Sequence, residues 1–436
     1  MPYFAGTMLL LFSHTSSPRL QYICQFVFKE MLGADFSITI DSEAYRNYAG
    51  PRINYSQLEL PGDEGFQLRN HSLLFEDNIV PQKIDCFTFN DSKAFFKTAD
   101  GDLPFDILAA AFYLLSRYEE YLPHEKDEYG RYAHTNSLAY REGFLEQPLL
   151  DSWIRDFAVR LQQRFPSFNY QLPAFSFQPT YDIDIAYSYL HKGLVRNLGG
   201  FLKAPSLERI AVLLGIRKDP FDSYAAMEEL HKLYRLSPVW FFLVPERNGK
   251  YDKNILPHKK AIWQLISRIA KKYKIGLHPS WQSGDQPSLL KKEKAQLEAM
   301  SGNTVSGSRQ HYIRFNLPED YRRLIAAGIS DDYSMGYGSI NGFRASVAAS
   351  FNWYDLEKDE STALRIHPFC FMDANAFYEQ RQNPEQTLNE MMNYYRVCKE
   401  NGGTMITIWH NNFLGTDKAF AGWAEIYAGF IAQVQQ

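Results

Sequence analysis

From Phe175 onward, short apolar runs alternate with helical patterns, and this alternation limits the fold more than any other feature of the chain. The apolar runs include PVWFFLV (238–244), IGLHPSW (275–281), HYIRFNLP (311–318), ALRIHPF (363–369) and GTMITIWHNNF (403–413). Between them lie KKAIWQLISRIAKKY (259–273), LLKKEKAQLEAMSG (289–302), EDYRRLIAAG (319–328) and QTLNEMMNYYRVCKENG (386–402). In these segments apolar residues recur at spacings of three and four, the period of a helix. Strand and helix in turn predict an α/β fold with parallel strands and outer helices, either a barrel or an open sheet.

The chain of 436 residues is too long for one ordinary core. Before residue 169 the pattern is that of a separate, smaller α/β domain. TMLLLFS is a strand, SPRLQYICQFVFKEMLG a helix, and ADFSITID a second strand. DILAAAFYLLSRYEEYL (106–122) reads as an amphipathic helix capped by Asp106. A polar stretch that holds His134 follows, then the helix LLDSWIRDFAVRLQQRFP. The expected boundaries are 1–168 and 169–436. His134, a lone histidine in a loop, is read as structural.

Several function classes find no support. A net charge of −4 gives no nucleic-acid signature, and the basic stretch LISRIAKKYKIG is a helix face and exit. The four cysteines (Cys24, Cys86, Cys370 and Cys398) lack C-x-x-C spacing, so no disulfide framework or cysteine-built zinc site is expected. No Gly-rich nucleotide cradle is present. The start has no basic region or cleavage site flanking its apolar run, and no run approaches the ~20 residues of a membrane span. These features predict a cytoplasmic chain without membrane insertion. Aromatic residues, 15% of the chain, are read first as core filling.

FSFQPTYDIDIAYSYLHKG (175–193) is an apolar strand that runs into two carboxylates, Asp182 and Asp184. In an extended segment both point to the same side. Two carboxylates that close repel and need a cation or a shared proton. Further polar residues lie at or near apolar runs: His278 after KIGL, His311 at the start of HYIRF, Arg344 in NGFRAS and His410 after TMITIW. In parallel α/β folds the carboxyl ends of strands form the active face. One economical division of labour makes one aspartate a metal ligand and the other a proton acceptor. Asp184, His278 and a second histidine would then supply three ligands and leave a position for water.

TYDIDIAY, IGLHPSW, GFRAS and TIWHN together resemble divergent forms of the motifs of the polysaccharide deacetylase superfamily, the NodB-homology or carbohydrate esterase family 4 group. The resemblance covers about 175–415. It implies a distorted (β/α) barrel that uses a divalent metal, zinc as the expected ion, to remove acetyl groups from an acetylated carbohydrate such as a chitin-like or peptidoglycan-like sugar. It implies Asp182 as the base, Asp184 and His278 as metal ligands, Arg344 as the holder of Asp182, and His410 as the general acid. The family's second motif carries two histidines. Here PSWQS follows His278, so the third ligand is His311 or, as the other candidate, His367; His311 is preferred for its place between the motifs. The N-terminal segment PFDILAAAFYLLSRYEEY resembles the accessory domain found before divergent members.

On this reading Trp281, Tyr337 and Trp353 are candidates for stacking on sugar rings, and Asp373 for orienting His410. DDYSMGYGSINGF (331–343) is expected as a mobile loop beside the site. The competing reading is a catalytically impaired member that keeps the fold and binds polysaccharide.

Overall fold

The computed structural model describes residues 8–435. The expectation that the apolar run near the start is not a secretory signal falls partly on residues 1–7, outside the described residues. In chain order the strands are β1 (Leu9–Phe12), β2 (Phe36–Thr39), β3 (Arg52–Tyr55), β4 (Phe66–Leu68), β5 (Phe87–Phe89), β6 (Ser92–Ala94), β7 (Ser176–Ile183), β8 (Val239–Leu243), β9 (Lys274–His278), β10 (Gly307–Ser308), β11 (Asp331–Asp332), β12 (Phe351–Asp355), β13 (Glu360–Ile366), β14 (Phe371–Met372) and β15 (Thr404–His410). They fall into two compact units. The first comprises 1–176, 343–368 and 397–404; the second comprises 177–342, 369–396 and 405–436. Segments 343–368 and 397–404, which the linear reading placed in the second domain, thus belong to the first unit.

In the first unit, β2, β1, β3 and β4 form a parallel sheet in that order. The helix Ile107–Leu115 begins where expected, because the Asp106 carboxylate accepts from the backbone N–H groups of Leu108 and Ala109. It is not amphipathic, however: each of its nine residues is buried, as suits an all-apolar segment ILAAAFYLL inside a core. ALRIHPF, expected as a parallel strand, lies largely in β13, which pairs antiparallel with β12. A hairpin needs only a short turn, and Asp359 with φ 53° supplies it.

The first unit also buries an ion network. Arg117 donates to Glu119 and Glu120 at 2.8 Å each, and Arg344 donates to both oxygens of Glu120, at 2.8 and 2.5 Å. Burial opposes the charge on Glu120, yet Arg344 and Arg117 together hold its carboxyl down at about 2. Trp353, on β12, is 2% exposed.

The sheet order in the second unit is β11-β10-β9-β8-β7-β15-β14, with parallel pairing in β11/β10, β10/β9, β9/β8, β8/β7 and β14/β15. The architecture is α/β, and the order is linear from β11 to β14. β8, VWFFL, is buried at every residue, the pattern of a strand covered on both faces. The helices Lys260–Ala270, Pro287–Ser301 and Glu319–Ala326 fall on the predicted segments. Among the described residues no helix is long and apolar enough to cross a membrane.

Register then brings the polar strand ends level. Ile183 lies opposite Phe242, and Leu243 opposite His278. Asp184, one residue beyond Ile183, therefore stands level with His278 across the end of β8. Leu277 pairs with Ser308, which puts Arg309 and His311 just past the same edge.

Candidate metal centre

Thr180, Asp182 and Asp184 alternate along β7 and its exit, so all three face one side. Tyr181 faces the other and bonds His231 Nε2 at 2.6 Å. Asp182 is 1% exposed, whereas the Asp184 side chain is 25% exposed. The pair is thus divided into a buried carboxylate and one at the opening.

Asp184, His278 and His311 bring one ligand atom each to within 4.8 Å of one another. His278 Nε2 is 3.1 Å from Asp184 Oδ1, and His311 Nε2 is 3.3 Å from Asp184 Oδ2. The outer nitrogens fix both rings. His278 Nδ1 donates to the Arg309 carbonyl at 2.5 Å, and His311 Nδ1 faces Asp252 Oδ1 at 3.0 Å. With each Nδ1 held from outside, each ring turns its Nε2 toward Asp184. Asp184 Oδ1 is buried and accepts no hydrogen bond, although His278 Nε2 is close by. One carboxylate and two imidazoles converging on one point are a donor set suited to zinc. These three residues form a cluster capable of coordinating a metal ion.

Electrostatics agree that the cluster draws positive charge. Burial opposes the Asp184 charge, but His311 and His278 hold its carboxyl well below the usual range. Burial likewise opposes protonation of His311, yet Asp184 and Asp252 carry its imidazole up to about 9.

Asp252 was not singled out in the sequence, where it sits in the turn segment GKYDKNILP. It is fully buried and also accepts from the Trp281 N–H at 2.9 Å and Gln282 Nε2 at 3.1 Å. Two residues on, Asn254 donates to the carbonyls of Ile183 and Leu243 and accepts from the Ala186 N–H. One short segment therefore orients His311 and ties down the chain on both sides of Asp184.

The guanidinium on Asp182 belongs to Arg309, which donates from Nη1 to Asp182 Oδ1 at 3.1 Å and to Thr180 Oγ1 at 2.6 Å. Arg309 is fully buried, donates from Nε to the Tyr333 carbonyl, and lies 4.5 Å from the Phe241 ring centre. Gly276 makes room for that ring, since a Cβ there would meet Phe241 at 2.4 Å. The expectation that Arg344 holds Asp182 is corrected here. Arg344 spends its bonds on Glu120 within the first unit, because its GFRAS segment belongs there.

On the other side of Asp184, His410 Nε2 lies 3.5 Å from Oδ2. Its Nδ1 is 2.6 Å from Asp373 Oδ1, and its backbone N–H donates to Asp373 Oδ2 at 2.7 Å. Burial disfavours the imidazolium, but Asp373, then Asp184 and Asp182, raise it to about 10.

Other expectations change. His311 opens a 3₁₀ turn (His311–Ile313) rather than a strand, since Tyr312 and Ile313 take φ of 59° and 53°. His367 is in the first unit, with Nδ1 2.8 Å from Ser350 Oγ. Tyr337 and Trp353, each 2% exposed, have no ring face to offer a sugar. Trp281 is half-buried, stacked at 4.0 Å on Tyr251 and covered at 4.2 Å by Arg314. The expected mobile loop 331–343 is instead packed: residues 332–337 are all buried.

Residues 9–166 match the model of a family of unknown function, DUF7033. No curated protein matches the chain. Among solved structures the chain is similar to a Mycobacterium smegmatis protein assigned as a polysaccharide deacetylase, with 14% identity and a TM-score of 0.40 over 60% of this chain and 84% of that one. It is also similar to the polysaccharide deacetylase Bc1974 from Bacillus cereus, with 8% identity and a TM-score of 0.30 over 60% and 88% of the two chains. Both are distant likenesses at low identity.

Proposed function

We propose that the chain is a metal-dependent hydrolase that removes acetyl groups from an acetylated sugar or polysaccharide, and that its second unit is an irregular (β/α) barrel of the deacetylase type. One observation carries this reading. The Asp184–His278–His311 cluster is flanked by Asp182, held by Arg309, and by His410, held by Asp373. Ligands, a proton acceptor and a proton donor thus share one face.

Asp184, His278 and His311 would hold a divalent ion, zinc by their chemistry. When bound, such an ion supplies a Lewis acid and lowers the pKa of water. Asp182 takes a proton from the attacking water. Arg309 occupies its Oδ1, while Oδ2, 3.8 Å from His278 Nε2, faces the site. His410, with its Nδ1 proton on Asp373, presents Nε2–H toward the site and protonates the departing nitrogen or oxygen. An amine leaves poorly until protonated, so an amide substrate requires this acid.

The test is acetate release from chitin-type, peptidoglycan-type and O-acetylated oligosaccharides by metal-loaded protein. Asp182→Asn and His410→Ala should each keep the ion and the melting temperature while losing ~10²–10⁴-fold in kcat. If the loaded wild type releases acetate from none of these sugars, the deacetylase reading fails. Full activity in Asp182→Asn would reject the assigned base.

A further inference from the structure

The chain leaving Asp184 enters a helical hairpin, Leu194–Lys203 and Leu207–Leu213, that carries a set of exposed apolar side chains. Leu198, Leu202, Leu207, Leu213, Leu214 and Ile216 are exposed, from 45% at Leu213 to 86% at Leu207. Among the described side chains of the two helices only Asn197 and Val212 are buried. A patch of this kind on a folded chain marks an interaction surface.

The hairpin is held in place by its polar residues. Arg196 donates to the carbonyls of Lys253 and Asn254, Asn197 to the Tyr189 carbonyl, and Arg209 to the Asn197 carbonyl. Asp219 closes the base, accepting from the N–H groups of Ser188, Tyr189, Leu190 and Phe221. With the polar groups turned inward to these bonds, the leucines face water because of how the hairpin is built.

Its charge is equally one-sided. Between His191 and Lys218 six residues are Lys or Arg and one, Glu208, is acidic, in a chain whose net charge is −4. The exposed cations bracket the leucines, with Lys203 at the turn and Arg217 and Lys218 past the second helix. Leucines spread over both helices, with cations at either end, match helices that lie in the headgroup layer of a bilayer. A helix-in-groove protein contact would instead use a single i, i+3, i+4 row of anchors.

We propose that this leucine-studded hairpin docks the protein on an anionic lipid surface, lying on the membrane and not crossing it. The surface is anchored through Arg196 to the carbonyls of Lys253 and Asn254, next to Asp252, the residue that orients His311. The inference does not depend on the reaction at that cluster.

The experiment is co-sedimentation of the full chain with vesicles of phosphatidylcholine mixed with phosphatidylglycerol, against phosphatidylcholine alone, at low and high salt. The protein should sediment with the mixed vesicles and be released by salt. Leu202→Asp with Leu214→Asp should abolish sedimentation and leave the melting curve unchanged, since both side chains are exposed. Lys203→Ala with Lys218→Ala should weaken binding by about fivefold per charge removed. No sedimentation with the mixed vesicles overturns the proposal, as does binding that survives the leucine pair. Light scattering that shows a dimer dissolved by the leucine pair, without vesicle binding, would assign the face to a second copy and overturn it too.

Discussion

Asp373 holds His410 at two points: Oδ1 lies 2.6 Å from Nδ1, and Oδ2 accepts the His410 backbone N–H at 2.7 Å. One carboxylate therefore fixes both the position of the residue and the tautomer of its ring. Asp373→Asn should keep the bond to the backbone N–H and lose the charge on Nδ1. The expected result is a kcat lowered by ~10²-fold or more with metal content unchanged, since proton transfer is the step affected. Steady-state kinetics beside metal analysis checks this, and an unchanged kcat would remove Asp373 from the mechanism.

Metal content should depend on Asp184 and not on His367. Asp184 contributes the carboxylate around which His278 and His311 gather, while His367 lies in the first unit on Ser350. Elemental analysis of protein purified without chelator should find about one divalent ion per chain in the wild type and in His367→Ala. Asp184→Ala should hold far less. Equal metal in Asp184→Ala and wild type would reject the cluster as the site.

Asp252 should tune the affinity of that site without being part of it. Its bond to His311 Nδ1 sets which nitrogen faces Asp184. Asp252→Asn should weaken metal binding by ~10–100-fold, read by chelator competition, and should shift the visible spectrum of cobalt-loaded protein. A variant that only loosened packing would lower the melting temperature and leave that spectrum where it was.

Much of this centre was legible because strand periodicity announces where strands end. Asp184, His278 and His410 each follow an apolar run, and register brings the strand ends of Asp184 and His278 level. The residues that orient them were not legible. Arg309 reads as part of a polar loop, GSRQH, and Asp252 as part of a turn, because neither follows an apolar run. Their roles come from contacts across more than fifty residues of sequence, which no local pattern encodes. Arg344 was misread for the converse reason. Its neighbours fit a motif, but 343–368 belongs to the other unit, where Glu120 awaits it. Trp353 and Tyr337 lie near the motifs in sequence and are core in space.

That correction has a measurable consequence. Arg344→Ala removes one of two guanidinium groups from the buried Glu120 and should cost about 3–5 kcal/mol of stability. Metal binding, set by residues of the second unit, should persist in the fraction that stays folded. Arg309→Met should behave differently, leaving Asp182 without its donor and lowering kcat more than the melting temperature. Denaturant titration with kinetics on both variants separates the two. Reversed results would restore Arg344 to Asp182.

Asp151 gives the first unit a stability that depends on pH in an unusual direction. The residue is 1% exposed, on the helix Leu149–Arg164; its Oδ2 accepts the Ala348 N–H at 3.0 Å, and its Oδ1 accepts no hydrogen bond. Burial pushes its carboxyl up to about 7, from an ordinary value of 3.8, and the hydrogen bonds only partly offset that. Between these two values the folded chain holds a proton that the unfolded chain has released. The contribution is thus fully present below the ordinary value and is lost as pH rises through about 7. Its slope is at most about 1.4 kcal/mol per pH unit. Asp151→Asn keeps an oxygen for the Ala348 N–H and cannot ionise. Buried Asp106 and Glu293 are also raised, to about 6 and 7, so the comparison must be wild type against variant and not wild type alone. Melting curves from pH 4 to pH 8 should show the gap between the two proteins moving in favour of Asp151→Asn as pH rises. A gap that stays constant over this range would show that Asp151 is ionised in the folded protein.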